Sequence, residues 1–272
     1  MENVLFFFAD LPVYSYGFML GLGLILGSFL AQREGKRKGF GTDFVFRFII
    51  QVMLVFVIVG RIAAVFPIYG WRTLLYPWTL FSNVQLDDTR GMIGAGVYAL
   101  YFLIRYVDQV ASFLDILTPS LALLQSLAYL GSSVLGRETT SFWGVDLGEF
   151  RLHPIPLYGA LIYYLLFSVL WKNRRNLRYD GQLFLGYLAL SATAQRMLMP
   201  FREVFGESPN PWLYSLAALL FGLAWLYVYI SSPLTDIRRR RGLNDWRSWL
   251  LYLASLGGVG LIMVKFFYWR FS

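Results

Sequence analysis

The sequence predicts an all-α protein, a polytopic integral membrane bundle of about eight helical spans with a small cap of loops on its outer face. Hydrophobic residues make up 57% of the 272 residues and charged residues only 15%, a balance too apolar for a soluble domain of this size. Apolar stretches long enough to cross roughly 30 Å of hydrocarbon recur along the chain. Nine tryptophans and eighteen tyrosines suit two interfacial aromatic belts.

The predicted spans are long apolar stretches taken in chain order. They lie near residues 14–32, 44–66, 109–131, 154–171, 181–199, 211–231 and 248–267. An eighth and shorter stretch, residues 91–106, is rich in small residues: Gly91, Gly94, Ala95, Gly96 and Ala99. Small residues permit close approach of backbones, or an interrupted or re-entrant helix that its neighbours bury.

The distribution of basic residues predicts the orientation of the spans. More than half of the 24 lysines and arginines fall in segments around residues 33–47, 105–108, 172–178 and 238–247, and the positive-inside rule makes that side cytoplasmic. The loops at 67–90, 132–153 and 200–210 then lie outside. The four arginines at 238–241 are expected to attract anionic inner-leaflet lipid, and nucleic-acid binding is not expected.

Composition also excludes several kinds of site. The chain has no cysteine, so disulfides, thiolate metal sites and cysteine nucleophiles are ruled out. A single histidine, His153, rules out a metal site built from several histidines. No metal and no cofactor are therefore expected.

Two arginines interrupt apolar runs near the predicted outer ends of their spans. Arg61 follows Val57-Ile58-Val59-Gly60, and Arg196 follows Ala192-Thr193-Ala194-Gln195. A guanidinium at membrane depth costs a few kcal/mol and usually faces a partner, a cavity or a ligand. We expect both to lie at one level and to bind an anionic group, with lipid phosphate the nearest candidate. The alternative is that both side chains extend to the interface without a ligand.

Further motifs, in their order and spacing, resemble those of the bacterial prolipoprotein diacylglyceryl transferases. The run from His153 to Tyr158 opens a span and follows Gly136-Arg137, and Arg196 comes later in the chain. The remaining matching motifs are Tyr16-Gly17-Phe18-Met19, Gly60-Arg61-Ile62, Gly91-Met92, Trp143-Gly144-Val145 and Gly181-Gln182-Leu183-Phe184. The resemblance spans roughly residues 14–231.

Such enzymes move the diacylglyceryl group of phosphatidylglycerol onto the thiol of a lipobox cysteine and release glycerol phosphate. The resemblance therefore implies a bacterial inner-membrane transferase whose functional face points outward, with phosphatidylglycerol and a prolipoprotein signal helix as partners. It implies catalytic roles for His153, Arg137 and Arg196. It implies lipid-phosphate binding by a group that shares several of these residues: Arg61, Arg196, Arg137, Tyr16 and Tyr158.

The family's signature helix departs from its pattern in this chain. Its arginine falls on Gln125, its asparagines on Ala128 and Gly131, and its glutamate on Ser133, while the family's loop histidine falls on Ala95. Two hypotheses follow. The protein is either a diacylglyceryl transferase with an altered active site, or a non-catalytic, lipid-binding accessory subunit of a larger membrane complex.

The chain also continues beyond the part that resembles the family. We predict a transferase-like domain over residues 1–231, followed by a basic cytoplasmic turn and an extra transmembrane helix within residues 232–272. The span at 248–267 contains Gly257-Gly258-Val259-Gly260, a small-residue face suited to close packing. This helix is a candidate surface for a partner membrane protein.

Overall fold

A computed structural model describes residues 4–8, 11–71, 73, 76, 78, 86–148, 150–202, 210–232 and 246–271. The arginines at 238–241, residues 203–209 of the predicted loop at 200–210, and about half of the loop at 67–90 lie outside the described residues. The chain forms two compact units: a larger unit of Met1–Leu30 with Leu114–Ser272, and a smaller unit of Ala31–Phe113. The domain boundary predicted near residue 231 is a different division, between the family-like part of the sequence and the appended helix, and it remains a prediction.

Eight α-helices account for most of the described residues, which confirms the predicted fold class. They are α1 (Ser15–Arg37), α2 (Thr42–Tyr69), α3 (Asp88–Tyr106), α4 (Val110–Gly131), α5 (Ile155–Asn173), α6 (Gln182–Leu198), α7 (Pro211–Ser231) and α8 (Trp246–Phe271). Six of them, all but α3 and α6, are long and apolar enough to cross a membrane. Helix α6 has only 17 residues.

Two small β-hairpins accompany the helices and were not predicted from the sequence. Strand β1 (Val4–Phe8) pairs antiparallel with β2 (Leu11–Tyr14) directly before α1. Strand β3 (Val145–Asp146) pairs antiparallel with β4 (Arg151–Leu152) in the connection between α4 and α5. The second hairpin forms part of the predicted cap of loops.

Small residues let α2 and α3 approach closely within the smaller unit, as their sequence predicts. A Cβ on Gly91 would lie 2.9 Å from the carbonyl oxygen of Phe56, and one on Gly94 would lie 2.7 Å from Val59. Gly60 is equally confined, at 2.9 Å from the carbonyl oxygen of Asp87. The glycine-rich segment forms one continuous helix, α3, without the interruption that its composition would allow.

A buried carboxylate fixes the start of α6 in the larger unit. Asp115 is 2% exposed and accepts hydrogen bonds from the backbone N–H groups of Gly181 at 2.8 Å, Leu183 at 2.9 Å and Phe184 at 3.1 Å. These donors belong to a helix N-terminus, which favours negative charge. Gly181 has a φ of +92°, a conformation that glycine adopts without strain.

Candidate active site

Three stretches of backbone converge at one end of the larger unit. The N–H of Gly136 donates to the carbonyl of His153, the N–H of His153 donates to the carbonyl of Arg137, and the N–H of Arg137 donates to the carbonyl of Phe201, each at 2.9 Å. A Cβ at position 136 would lie 2.2 Å from the Phe201 carbonyl oxygen. Only glycine fits there, so Gly136 is what permits the convergence.

This junction aligns a group of rings, here called the aromatic cluster: His153, Tyr158, Trp143 and Phe201. His153 Nδ1 lies 3.3 Å from Tyr158 Oη, and Trp143 Nε1 donates to the same hydroxyl at 2.8 Å. The Phe201 ring packs edge-on against both His153, at 5.0 Å, and Tyr158, at 5.7 Å between centroids. His153 therefore contacts the side chains of Tyr158 and Phe201. It does not cap α5, because that helix begins at Ile155 without a side-chain cap.

The second half of the site is a polar network, here called the arginine cluster: Arg137, Arg202, Gln195, Tyr129 and Tyr163. Arg202 Nη2 donates to Tyr129 Oη at 2.8 Å and to Gln195 Oε1 at 2.7 Å. Gln195 Nε2 in turn donates to the hydroxyls of Tyr129 and Tyr163, both at 2.9 Å. Arg137 Nε donates to the carbonyl of Arg202 at 2.9 Å, so the two arginines are joined directly.

The end of α6 explains how Arg202 reaches this network. The helix stops at Leu198, and a 3₁₀ turn, Met199–Phe201, follows. That turn brings Arg202 beside Gln195, which lies in the last turn of the helix. A glycine supports the arrangement from α5, because a Cβ on Gly159 would lie 2.4 Å from the Tyr129 ring. Tyr129 can therefore stack on Tyr163, at 5.5 Å between centroids.

The charge of this site is positive. Within the part of the chain that the structure describes, neither Arg137 nor Arg202 has a carboxylate within ion-pair distance. Arg137 is exposed and Arg202 is half-buried. A half-buried guanidinium without a carboxylate favours an anionic ligand, and the planar guanidinium suits two oxygens of a phosphate.

Asp146, a described acid of the connection between α4 and α5, is already engaged in its own hairpin. Asp146 accepts from the N–H of Gly148 at 2.9 Å and from Arg151 Nε at 3.2 Å. These contacts, the backbone one first, hold the pKa of the Asp146 carboxyl below its ordinary value. Asp146 is thus a structural acid of the β3–β4 hairpin.

The structure brings together three of the predicted site residues, Arg137, His153 and Tyr158. The described contact of Arg196 is with another helix: it is exposed, and its Nε donates to Ser215 Oγ on α7 at 3.3 Å. Tyr16, also exposed, lies at the start of α1, where its Cα packs against Gly131. Arg61 belongs to the smaller unit, so its predicted level relative to Arg196 stays a prediction.

One departure from the family signature also has a structural partner. Gln125, which stands at the position of the signature arginine, accepts a hydrogen bond from Tyr187 Oη at 2.8 Å. The amide is thus held between α4 and α6 inside the larger unit. Four residues of the arginine cluster, namely Arg202, Gln195, Tyr129 and Tyr163, were not singled out from the sequence as site residues.

The fold and the two clusters define a multi-pass membrane protein with arginine, imidazole and phenol groups gathered at one end. Comparison with known proteins identifies the family to which this membrane protein belongs. The chain matches the model of the family described as prolipoprotein diacylglyceryl transferase over residues 3–228, and it belongs to that family. It is therefore a multi-pass bacterial membrane protein of the transferase family.

Several relatives carry the name phosphatidylglycerol–prolipoprotein diacylglyceryl transferase. The protein of that name from Clostridioides difficile is 25% identical over 242 residues, which cover 85% of this chain and 96% of that protein. A second, from Clostridium perfringens, is 28% identical over 181 residues, 61% of this chain and 70% of its own length. One from Bacillus cereus is 28% identical over 199 residues, 65% of this chain and 72% of its own length.

Proposed function

We propose that this protein transfers the diacylglyceryl group of phosphatidylglycerol to the cysteine thiol of a prolipoprotein signal helix. The sulfur forms a bond to the glyceryl carbon of the lipid while the bond from that carbon to the phosphate oxygen breaks. The products are a thioether and glycerol phosphate, and the thiol proton leaves the sulfur. No oxidant, reductant or further reactant is needed. The names of the relatives and the composition of the site support the proposal.

The observation that carries this proposal is the pair of joined arginines, Arg137 and Arg202, for which the described part of the chain shows no carboxylate within ion-pair distance. The leaving phosphate gains negative charge as the carbon–oxygen bond breaks. Donors already fixed in place stabilise such charge best, because they need no reorganisation during the reaction. Arg202 is held by Tyr129 and Gln195, and Arg137 is held by the Arg202 carbonyl. We assign both guanidiniums to the phosphate.

His153 is the residue that we assign to the thiol proton. An imidazole has two ring nitrogens, one of which can accept a proton while the other donates a hydrogen bond, which suits general-base catalysis. One ring nitrogen, Nδ1, faces Tyr158 Oη, which orients the ring and leaves Nε2 as the atom for the thiol. Tyr158 is in turn held by Trp143.

The remaining predicted lipid contacts keep a more peripheral role in this proposal. Arg196 is exposed on α6 and Tyr16 on α1, positions that suit the head groups of surrounding anionic lipid. Arg61 is proposed to contact lipid phosphate from the smaller unit. We further propose that the two clusters face the outer side of the bacterial inner membrane, because the basic segment between α5 and α6 lies at the opposite ends of these two helices.

Expression in a bacterial strain depleted of its own transferase tests the proposal. We expect this chain to restore growth and diacylglyceryl modification of prolipoproteins, and we expect His153→Gln and Arg202→Ala to abolish the rescue at equal protein levels. Arg196→Ala is the matched arginine control and should retain rescue. Equal rescue by all variants would show that the two clusters do not carry the chemistry.

The alternative from the sequence, a non-catalytic accessory subunit, has no support from the relatives. The changed signature residues Gln125, Ala128 and Ser133 are the observation that favours it. The same strain separates the two functions. A protein that co-purifies with phosphatidylglycerol, is stably expressed and never modifies a prolipoprotein would be a binding subunit.

A further inference from the structure

Helix α8 lies beyond the residues that match the family, which end at 228, yet it is built into the larger unit. Met263 and Phe267 are buried in the same core as Leu127 and Leu157. At the start of α8, Tyr252 Oη accepts from Ser168 Oγ of α5 at 2.7 Å. A Cβ on Gly257 or Gly258 would meet nothing within 4 Å among the described residues.

The last turn of α8 completes the end of another helix. Arg270 Nη1 donates to the carbonyls of Leu130 at 3.0 Å and Gly131 at 2.6 Å, and Nη2 donates to the carbonyl of Ser132. These are carbonyls at the C-terminus of α4, where a helix leaves acceptors unsatisfied and favours positive charge. Arg270 Nη1 also contacts Ser15 Oγ at 3.0 Å. Arg270 thus fixes the point from which the loop to the site departs.

A second residue of the same turn holds the loop itself. Tyr268 Oη donates to the backbone carbonyl of Trp143. Trp143 Nε1 donates to Tyr158 Oη, which faces His153 Nδ1. A continuous series of hydrogen bonds therefore joins the appended helix to the imidazole of the candidate site.

The loop needs such a support because much of it is exposed. Phe142 is 85% exposed and Trp143 is 44% exposed. A site residue that is displaced by about 1 Å loses much of its catalytic effect, so the residues around a site must be held by others. Tyr268 and Arg270 supply that restraint from outside the family-matched part of the chain.

We propose that Tyr268 and Arg270 are positioning residues of the active site, which makes α8 a component of the catalytic unit. The expected effect on the rate of transfer rests on the proposed function, whereas the expected effect on the position of the loop does not. Arg270 holds the end of α4, and Tyr268 holds Trp143, so together they set the position of Tyr158 and His153. A family member that ends before α8 must hold this loop in another way.

The absence of cysteine from the chain allows a direct test by site-specific spin labelling. Phe142→Cys places a label next to Trp143, and its mobility is measured in detergent with and without Tyr268→Phe. We expect the label to become more mobile in Tyr268→Phe. Tyr252→Phe is the matched control, because it removes a hydroxyl contact at the other end of the same helix, and it should leave the label unchanged. Equal label spectra in both variants would overturn the proposal.

The second readout is the rate of diacylglyceryl transfer by the unlabelled variants. Loss of one hydrogen bond corresponds to about a 3- to 10-fold change, and we expect a fall of that size in kcat for Tyr268→Phe. KM should be unchanged, because the described hydrogen bond of Tyr268 is to the backbone of Trp143 and not to Arg137 or Arg202. Arg270→Lys, which keeps the charge but not the forked donors, should lower kcat similarly. Equal kcat values for Tyr252→Phe and Tyr268→Phe would show that α8 contributes packing alone and that Tyr268 does not position the site.

The two readouts separate failure of the inference from failure of the proposed function. A label that becomes mobile in Tyr268→Phe, in a protein without transferase activity, supports the positioning role and overturns the proposed reaction. An active protein with an unchanged label and unchanged kcat overturns the inference alone. Circular dichroism and gel filtration of each variant establish that its helices and its oligomeric state are intact.

Discussion

Arg196, in the last turn of α6, and Arg202, just beyond the end of that helix, provide a matched pair for testing the site. Arg202 is half-buried and donates to Tyr129 and Gln195, whereas Arg196 is exposed and has one long hydrogen bond, 3.3 Å, to Ser215. The same substitution, arginine to alanine, is made at each position. If Arg202 stabilises the leaving phosphate, the two variants should differ greatly in transfer rate and little in stability.

The magnitudes follow from these contacts. Removing one preorganised donor to developing negative charge costs about 100- to 1000-fold in kcat, which is the loss expected for Arg202→Ala. Interhelical hydrogen bonds in membrane proteins contribute about 0.6 kcal/mol each, so the loss of two should lower the free energy of unfolding by about 1 kcal/mol. The hydrogen bond from Arg196 to Ser215 should contribute about 0.6 kcal/mol, and the transfer rate of Arg196→Ala should fall less than about 3-fold.

The assay is transfer of a diacylglyceryl group to a lipobox peptide by purified variants in vesicles that contain phosphatidylglycerol, followed by mass spectrometry. Thermal unfolding in the same detergent controls for loss of fold. Arg202→Lys distinguishes charge from geometry, because lysine keeps the charge without the planar fork, and it should restore only a small part of the rate. A larger rate loss for Arg196→Ala than for Arg202→Ala would refute the assignment.

Four further outcomes are expected. Gly136→Ala should abolish transfer, because its Cβ would lie 2.2 Å from a backbone oxygen, and the activity assay checks it. Asp115→Asn should lower the unfolding temperature in detergent, because three N–H groups lose a charged acceptor worth about 1.5–3 kcal/mol per bond in soluble proteins. A cysteine at Ser141 should react with a membrane-impermeant thiol reagent in intact cells, whereas one at Lys36 should not. The folded-state pKa of Asp146 is lowered. Its stabilising contacts are therefore present above the unfolded-state pKa of about 3.9 and are lost as the pH falls through the folded-state pKa. The rate of proteolysis of the hairpin, measured against pH, should rise as these contacts are lost.

Matched controls exist for the first two of these variants. Gly17→Ala is the control for Gly136→Ala, because a Cβ on Gly17 would meet nothing within 4 Å. Asp108→Asn is the control for Asp115→Asn, because Asp108 is exposed. Activity lost equally in both glycine variants, or unfolding temperatures lowered equally in both aspartate variants, would contradict the structural reasons given. Labelling at Lys36 with protection at Ser141 would reverse the orientation.

The positions of the helices could be predicted because they depend on long apolar stretches. The predicted stretches near 109–131 and 211–231 agree closely with α4 (Val110–Gly131) and α7 (Pro211–Ser231). Helix α1 extends to Arg37, beyond the predicted stretch at 14–32. Most of its last residues are charged, and hydropathy cannot detect a helical end that consists mainly of charged residues. The β3–β4 hairpin escaped prediction because its strands have only two residues each, too few for an alternating pattern.

The site could be predicted only in part, because its geometry depends on non-local contacts. Gly136-Arg137 and His153 were recognisable as motifs, and the structure places them together. Arg196 drew attention because it interrupts an apolar run, yet it is Arg202, beyond the end of α6, that joins the polar network. The 3₁₀ turn Met199–Phe201 is what places Arg202 in this network. No periodicity in the sequence indicates that turn.

The most direct test of the proposed reaction uses the purified wild-type protein, a lipobox peptide and vesicles that differ only in head group. With phosphatidylglycerol we expect a peptide whose mass has increased by one diacylglyceryl group and an equal amount of released glycerol phosphate. With phosphatidylcholine we expect neither product. A folded protein that binds phosphatidylglycerol vesicles and yields no modified peptide would contradict the account.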